Sequence, residues 1–385
     1  ARSNSVSIRS AATDICCISP HRGQTDFDCA VTGGVYSPLV GTSGNVPLEV
    51  LHYCEFAGRL RRSGIGTAVS NQRKALADTD VVVRTAPTLR RVLGRERVDL
   101  LHCNLMGPRS VLLVLLARLL GIATVVHAHV TAEDFVGSFR GSARIAPWLR
   151  RYLRWAYGLA DLVIVPSEYT RATLESYPVD TEIRVLSNGV DRAAVQGGDQ
   201  LGRRYRERYG LGAEVVVGLV GNVFARKGLD TFLAAAASLP YRFVWFGPYD
   251  EGVHASSAVQ AATADPPANV TFTGWVDDIR GAYAAIDVYL FPSHAENQGI
   301  AVLEAMACGL PVVLSDLPVF SEYYTDGTDC VIVDSTDAAI EAVAWLATDT
   351  AARRRLGTAA AATAAQHDLR VVAEGLHRLY QEQVA

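Results

Sequence analysis

Two glutamates, Glu296 and Glu304, stand in HAENQGIAVLEAMACGLPVVLSD (294–316) with seven residues between them. Glu296 lies in a polar loop that ends at Gly299. The apolar run after it reads as a helix stopped by Gly309 and Pro311. The start of such a helix presents free N–H groups, a ready site for phosphate. Glu304 lies about 6 Å along the axis from Ile300. A carboxylate there can accept two hydrogen bonds from a vicinal diol such as a ribose. Glu296 would reach the far side of the phosphates, where a sugar would lie. Spacing alone also allows a loop acid favoured by the helix dipole and a solvated helix glutamate.

Four other stretches carry possible chemistry. GNVFARKGLD (221–230) follows an apolar run and puts Arg226 beside Lys227, one of only two lysines in the chain. Two cations above a strand end would neutralise a diphosphate and stabilise it as a leaving group; the GxxxxGK[ST] spacing of a Walker A loop is missing. An ordinary basic helix cap is the alternative. RRSGIGTAVSNQRKAL (61–76) suggests a Gly-rich turn, Ser63 to Thr67, ahead of a helix in the first βα unit. VVHAHVTAED (125–134) puts His127 and His129 on one side of a strand. A zinc site using Asp134 and His102 lacks a third ligand of convincing spacing. The better reading gives His129 a ligand in a cleft and His127 a structural role. GSARIAPWLRRYLRWAYGLA (141–160) has four arginines, two Trp, two Tyr and no acid. It suits an anionic membrane surface, or a domain-surface helix whose aromatics pack inward.

The elements that must hold these groups alternate. Strand-like runs occur at 48–53, 98–103, 122–129, 159–167 and 182–189, and again at 214–222, 241–247, 269–275, 287–293, 311–316 and 330–334, with helical stretches between. Continuously apolar strands alternating with helices predict parallel sheets covered on both faces. At 385 residues two domains are expected. The polar, Arg-rich 191–212 reads as the linker, and 371–383 as an amphipathic last helix. Residues 1–45 show no sustained period and are expected to be a poorly ordered extension, or to precede the true start. A net charge of −4 argues against a nucleic-acid binder. Seven cysteines without a CxxC pair, and no visible signal peptide, fit a cytoplasmic protein with buried thiols. The run 111–126 is too short and too broken to span a membrane.

Together these residues resemble the retaining, family-4 glycosyltransferases of the GT-B fold. The resemblance runs from about Leu48 to the C-terminus. It is most specific in VTFTGWVDD (270–278) and in AYAAIDVYLFPS (282–293) with the stretch that follows, where Glu296 and Glu304 match the E-x7-E motif. It implies an α/β protein of two facing Rossmann-like, doubly wound domains with a cleft between them. The domains would be 46–205, completed by a crossover helix at 366–385, and a donor-binding 206–365.

It further implies that Glu296 contacts the donor sugar and Glu304 the ribose. Backbone amides around Gln298, Gly299 and Ile300 would hold sugar and diphosphate, with Asn297 and Asn222 beside them. Lys227 and Arg226 would bind the diphosphate, His129 would lie near the transferred sugar, and Gly64 and Gly66 near the phosphates. Gly274 and Trp275 would lie at the base. Where the family often has Arg this chain has Asn222, Ser63 replaces a common Gly, and Gln298 replaces a usual Phe, which could alter sugar choice.

The implied reaction moves a hexose from a UDP- or GDP-sugar to a hydroxyl by front-face attack with retention; the stretch 141–160 suggests a membrane lipid or a lipid-linked glycan as the acceptor. No metal or other cofactor is expected. The protein would be cytoplasmic, with peripheral membrane contact through 141–160. The alternatives are an epimerase-like enzyme acting on the sugar nucleotide itself, and a non-catalytic sugar-nucleotide binder.

Overall fold

The computed structural model describes residues 46–87, 96–138, 140–249 and 256–385; the expected extension 1–45 lies outside them. The described strands form two six-stranded sheets in separate α/β domains. The first contains β1 (Leu48–Tyr53), β2 (Val81–Arg84), β3 (Leu100–Cys103), β4 (Ala123–His127), β5 (Leu162–Val165) and β6 (Glu182–Val185), in the order β2-β1-β3-β4-β5-β6. The second contains β7 (Val216–Val220), β8 (Arg242–Phe246), β9 (Val270–Gly274), β10 (Val288–Phe291), β11 (Val312–Ser315) and β12 (Val331–Val333), in the order β12-β11-β10-β7-β8-β9. Every pairing is parallel. VVGLV in β7 and VYLF in β10 are buried at every position, as strands covered on both faces must be.

The helices that frame the site are α1 (Gly64–Leu76), α2 (Pro108–Leu119), α3 (Ala132–Phe135), α4 (Ser142–Tyr157), α5 (Glu168–Glu175), α6 (Asp199–Arg208), α7 (Ile279–Ala284), α8 (Ile300–Ala307) and α9 (Leu369–Val384). In the second sheet the chain lays β7, β8 and β9 to one side and returns to lay β10, β11 and β12 on the other. The reversal between β7 and β10 opens a crevice at their carboxyl ends, the usual ligand position in such sheets. The first sheet reverses between β1 and β3.

Three sequence expectations need correction. The pattern gave no strand at 81–84, yet β2 forms there; its four residues are too few to show a period. The supposed linker 191–212 is largely helical and packed. Gly198 and Gly202 leave one side of α6 bare against α7: a Cβ on Gly202 would stand 2.6 Å from the Ala284 backbone, and one on Gly198 2.3 Å from the Arg280 carbonyl oxygen. The glycines of 61–76 form no turn ahead of a helix. Ser63 caps α1 by accepting the Gly66 N–H at 3.3 Å, so Gly64 and Gly66 lie in its first turn.

Helix α9 leaves the second domain and packs on the first. Val372, Leu376, Leu379 and Tyr380 share a buried cluster with Val50, Leu76, Leu100, Val125 and Ile164. The Tyr380 hydroxyl also meets His102 Nδ1 at 2.5 Å.

Candidate active site

The crevice of the second sheet is built by two loops. The loop after β7 ends in a 3₁₀ turn, Ala225–Lys227, followed by Gly228 at φ +76°. A Cβ there would collide with the Pro292 carbonyl oxygen at 1.9 Å, so only glycine lets this loop press against the one after β10. The contact carries Lys227 Nζ onto Glu296 Oε1. Ser293 Oγ donates to the same oxygen at 2.8 Å, and Arg226 Nη1 lies 3.8 Å from it.

Burial pushes the Glu296 carboxyl up, but Lys227 and Arg226, with the hydrogen bonds from Lys227 and Ser293, hold it below the ordinary carboxylate range. Burial also lowers the Lys227 ammonium, and the Glu296 carboxylate works in the opposite sense. Asp134, reaching in from α3, pairs with Arg226 Nη1 at 2.8 Å. Burial raises its carboxyl despite that guanidinium.

Gly299, at φ +83°, turns the second loop into α8. Glu304 sits half-buried one turn in, and the Tyr283 hydroxyl donates to its Oε2 at 2.6 Å. Burial raises its carboxyl to about 7, although Tyr283 works in the opposite sense. The backbone N–H groups of the first turn of α8 thus lie between the two glutamates along the chain, and the Arg226–Lys227 pair meets Glu296.

Asn297 and Gln298 join the domains. Asn297 Nδ2 donates to the His129 carbonyl at 3.1 Å, and its own carbonyl accepts from Ser167 Oγ at 2.7 Å and Thr170 Oγ1 at 3.2 Å. Gln298 Oε1 accepts the Asn188 N–H at 2.9 Å, and its Nε2 donates to Ser187 Oγ at 2.7 Å. The buried Gln298 side chain thus has both ends of its amide engaged by the interdomain segment.

On the opposing domain, His129 follows β4 and bonds Asn104 Oδ1 through Nε2 at 3.0 Å. Its ring stacks on His127 with centroids 4.4 Å apart. Behind it lies a buried network: Asn104 meets His52, His52 meets Gln72 Oε1 at 2.9 Å, and Gln72 Nε2 meets His127 Nδ1 at 2.9 Å. Burial holds His129 and His52 at about 3. It also drives His102 and His127 well down, helped by the neighbouring rings. All four rings are neutral at pH 7, and among the described residues no group of three His, Cys, Asp or Glu side chains could hold a metal ion.

The remaining expected residues lie at the periphery of this cluster. Gly64 and Gly66 sit in α1, which lies beside α8. Asn222 is half-buried between β7 and the 3₁₀ turn. Gly274 ends β9 at the sheet edge and Trp275 follows it, with the Arg62 guanidinium 4.8 Å from the Trp275 ring centre. The sequence reading missed three partners. Tyr283 fixes Glu304. Asn104 fixes His129. Asp134, weighed only as a metal ligand, faces Arg226; the Thr131-x-x-Asp134 cap signal marked its helix but not its partner.

Two facing α/β domains, with cations and a helix N-terminus at the switch point of one, define a GT-B glycosyltransferase. The chain belongs to the glycosyl transferases of group 1, family 4. Residues 214–349 match the family model described as "Glycosyl transferases group 1", and residues 50–194 match "Glycosyltransferase Family 4".

The processive diacylglycerol alpha-glucosyltransferase of Acholeplasma laidlawii is 32% identical over 282 residues, covering 72% of this chain and 81% of that protein. The GDP-mannose-dependent alpha-(1-6)-phosphatidylinositol monomannoside mannosyltransferase of Mycolicibacterium smegmatis is 29% identical, over 66% and 67%. HepE of Anabaena, solved with UDP and glucose, superposes with a TM-score of 0.68 at 18% identity, covering 87% of this chain and 99% of that one.

Proposed function

We propose that this glycosyltransferase moves a hexose from a UDP- or GDP-sugar to a hydroxyl of a lipid acceptor, with retention, at the cytoplasmic face of a membrane. The observation that carries the proposal is the contact of Arg226 and Lys227 with Glu296 at the switch point, four residues before α8 begins, with Glu304 one turn into that helix. In this reading the α8 amides and the two cations take the diphosphate, Glu304 takes the ribose diol and Glu296 the sugar hydroxyls. Backbone amides at Asn297 to Ile300 line the path, Asn222 and Gly64–Gly66 flank the phosphates, and Trp275 lies on the base side.

As the bond to the sugar breaks, negative charge builds on the leaving diphosphate. Arg226 and Lys227 are fixed beforehand to receive it, in a site where water is scarce. Glu296 is engaged by Lys227 and Ser293, which suits it to hold hydroxyls and not to attack carbon. Attack then comes from the acceptor on the same face, its proton passing to the departing phosphate oxygen. His129, neutral and oriented by Asn104, can hydrogen-bond the sugar or the acceptor without competing for that proton.

The lipid part rests on a surface of the first domain. On α4, Ile145, Trp148 and Trp155 are exposed, Trp148 by 75%, while Tyr152 and Tyr157 pack inward. Arg144, Arg150, Arg151 and Arg154 are exposed on the same helix. Tyr152 Oη bonds the Met106 carbonyl at 2.8 Å, tying α4 to the start of α2, on which Leu112, Leu115 and Leu119 are exposed. Exposed tryptophan and leucine with surrounding arginine match an anionic headgroup layer. No described helix is long and apolar enough to cross a membrane.

The test supplies UDP- and GDP-hexoses with diacylglycerol and glycolipid acceptors in anionic vesicles and identifies products by mass spectrometry and NMR. An α-linked glycolipid from an α-linked donor is expected. A β-linkage would overturn retention, and an altered sugar nucleotide formed without acceptor would overturn transfer.

A further inference from the structure

We propose that Asp134 is an internal anion that holds the diphosphate position between turnovers, and that the donor binds by exchange with it on Arg226. The inference rests on the reading of Arg226 and Lys227 as the diphosphate site. Asp134 comes from the first domain and Arg226 from the second. Their 2.8 Å contact is largely buried, the side chains being 19% and 13% exposed.

The chain around Asp134 is shaped to this contact. Arg226 Nε donates to Ser138 Oγ at 3.0 Å. Gly137, at φ +81°, runs so close that a Cβ would stand 3.0 Å from Arg226 Cβ. Thr131 caps the Asp134 N–H at 3.1 Å and donates to Asn297 Oδ1 at 3.3 Å, so the same short turn grips the second domain twice.

Charge favours an exchange. Arg226 and Lys227 face Asp134 and Glu296, two basic groups against two carboxyls. A diphosphate entering this poorly hydrated cluster would add uncompensated negative charge, which is costly in low dielectric. Withdrawal of one carboxylate halves that excess. Glu296 is bound within its own domain by Lys227 and Ser293. Asp134 is bound to Arg226 across the domain boundary, so its withdrawal leaves the bonds within the second domain in place.

After transfer, the nucleoside diphosphate leaves by the reverse exchange as Asp134 returns to Arg226. Asp134 is thus a positioning residue that weakens diphosphate binding and speeds product release.

The experiment titrates the full chain with UDP and GDP, and with uridine and guanosine as uncharged controls. It compares the wild type with Asp134→Asn and Asp134→Ala, each checked for native melting. The expected result is diphosphate binding tightened at least about tenfold in the variants, with nucleoside binding unchanged. In steady state the donor KM and kcat fall together, because product leaves slowly. A merely structural role would weaken both ligands, or neither. Equal or weaker diphosphate binding in both folded variants overturns the exchange alone. No binding of either diphosphate by any of the three proteins overturns the donor reading, and the exchange with it.

Discussion

Lowering the pH from 8 to 6 should weaken donor binding through one group, Glu304. Its carboxyl sits at about 7 because it is buried. In the free protein it is then about nine-tenths ionised at pH 8 and about one-tenth ionised at pH 6. A ribose diol donates both of its hydrogen bonds, so the complex favours the carboxylate, and binding at low pH must expel a proton. Donor affinity therefore falls about tenfold over that interval, or about 1.4 kcal/mol. Tyr283 occupies Oε2, which leaves Oε1 open to the diol.

The probe should be an intact nucleotide diphosphate sugar, whose phosphates lack a second ionisation near neutrality. Calorimetry at pH 6, 7 and 8, in buffers of different ionisation enthalpy, counts the protons released. Glu304→Gln should flatten the profile. A flat wild-type profile, or a slope that survives in the Glu304→Gln variant, would refute the reasoning. The sign for stability is opposite. A carboxyl raised by folding favours the folded state when protonated, so this contribution is full below about 4.5 and is lost as pH rises through about 7.

Further outcomes can be checked alongside. Glu296→Gln should abolish transfer and, by leaving Lys227 buried without its counter-charge, cost about 3–5 kcal/mol in denaturant unfolding. Gln298→Ala should cost about 1–3 kcal/mol by stranding the Asn188 N–H, with sugar preference unchanged in competition assays. His52, His102 and His127 are held neutral in the fold but take protons when unfolded. Stability should therefore fall below about pH 6.5, at a slope of up to about 4 kcal/mol per pH unit for the three, seen as mild-acid unfolding by circular dichroism. Replacing Trp148 and Trp155 with Ser should reduce sedimentation with anionic vesicles, and salt should weaken what remains.

The sequence made the parallel strands readable because both their faces are buried, so VVGLV and VYLF are apolar throughout. The E-x7-E pair and the Arg226–Lys227 pair were readable for a similar reason: each lies within one βα turn, where spacing fixes geometry. What escaped notice depends on distant segments. Tyr283 and Glu304, Asn104 and His129, and Asp134 and Arg226 come together only once the strands are ordered and the domains face each other. The Gln298 side chain drew notice only as a departure from the family's usual Phe before Gly299, and its bonds could not be read. Its partners, Ser187 and Asn188, lie more than a hundred positions away. The segment 191–212 looked like a linker because polar residues dominate it, while two glycines carried its packing.

The return of α9 to the first domain has a consequence for biosynthesis. Val50, Leu100 and Val125 are made before the second domain, yet their shared cluster with Val372, Leu376 and Tyr380 closes only when α9 has left the ribosome. Until then the second domain can fold as a continuous stretch, while the first exposes an apolar sheet face and the His102 imidazole. Of the two domains, the one whose strands are made earlier is closed later. During synthesis it is therefore the half that needs shielding from aggregation, and its completion is a slow, long-range step.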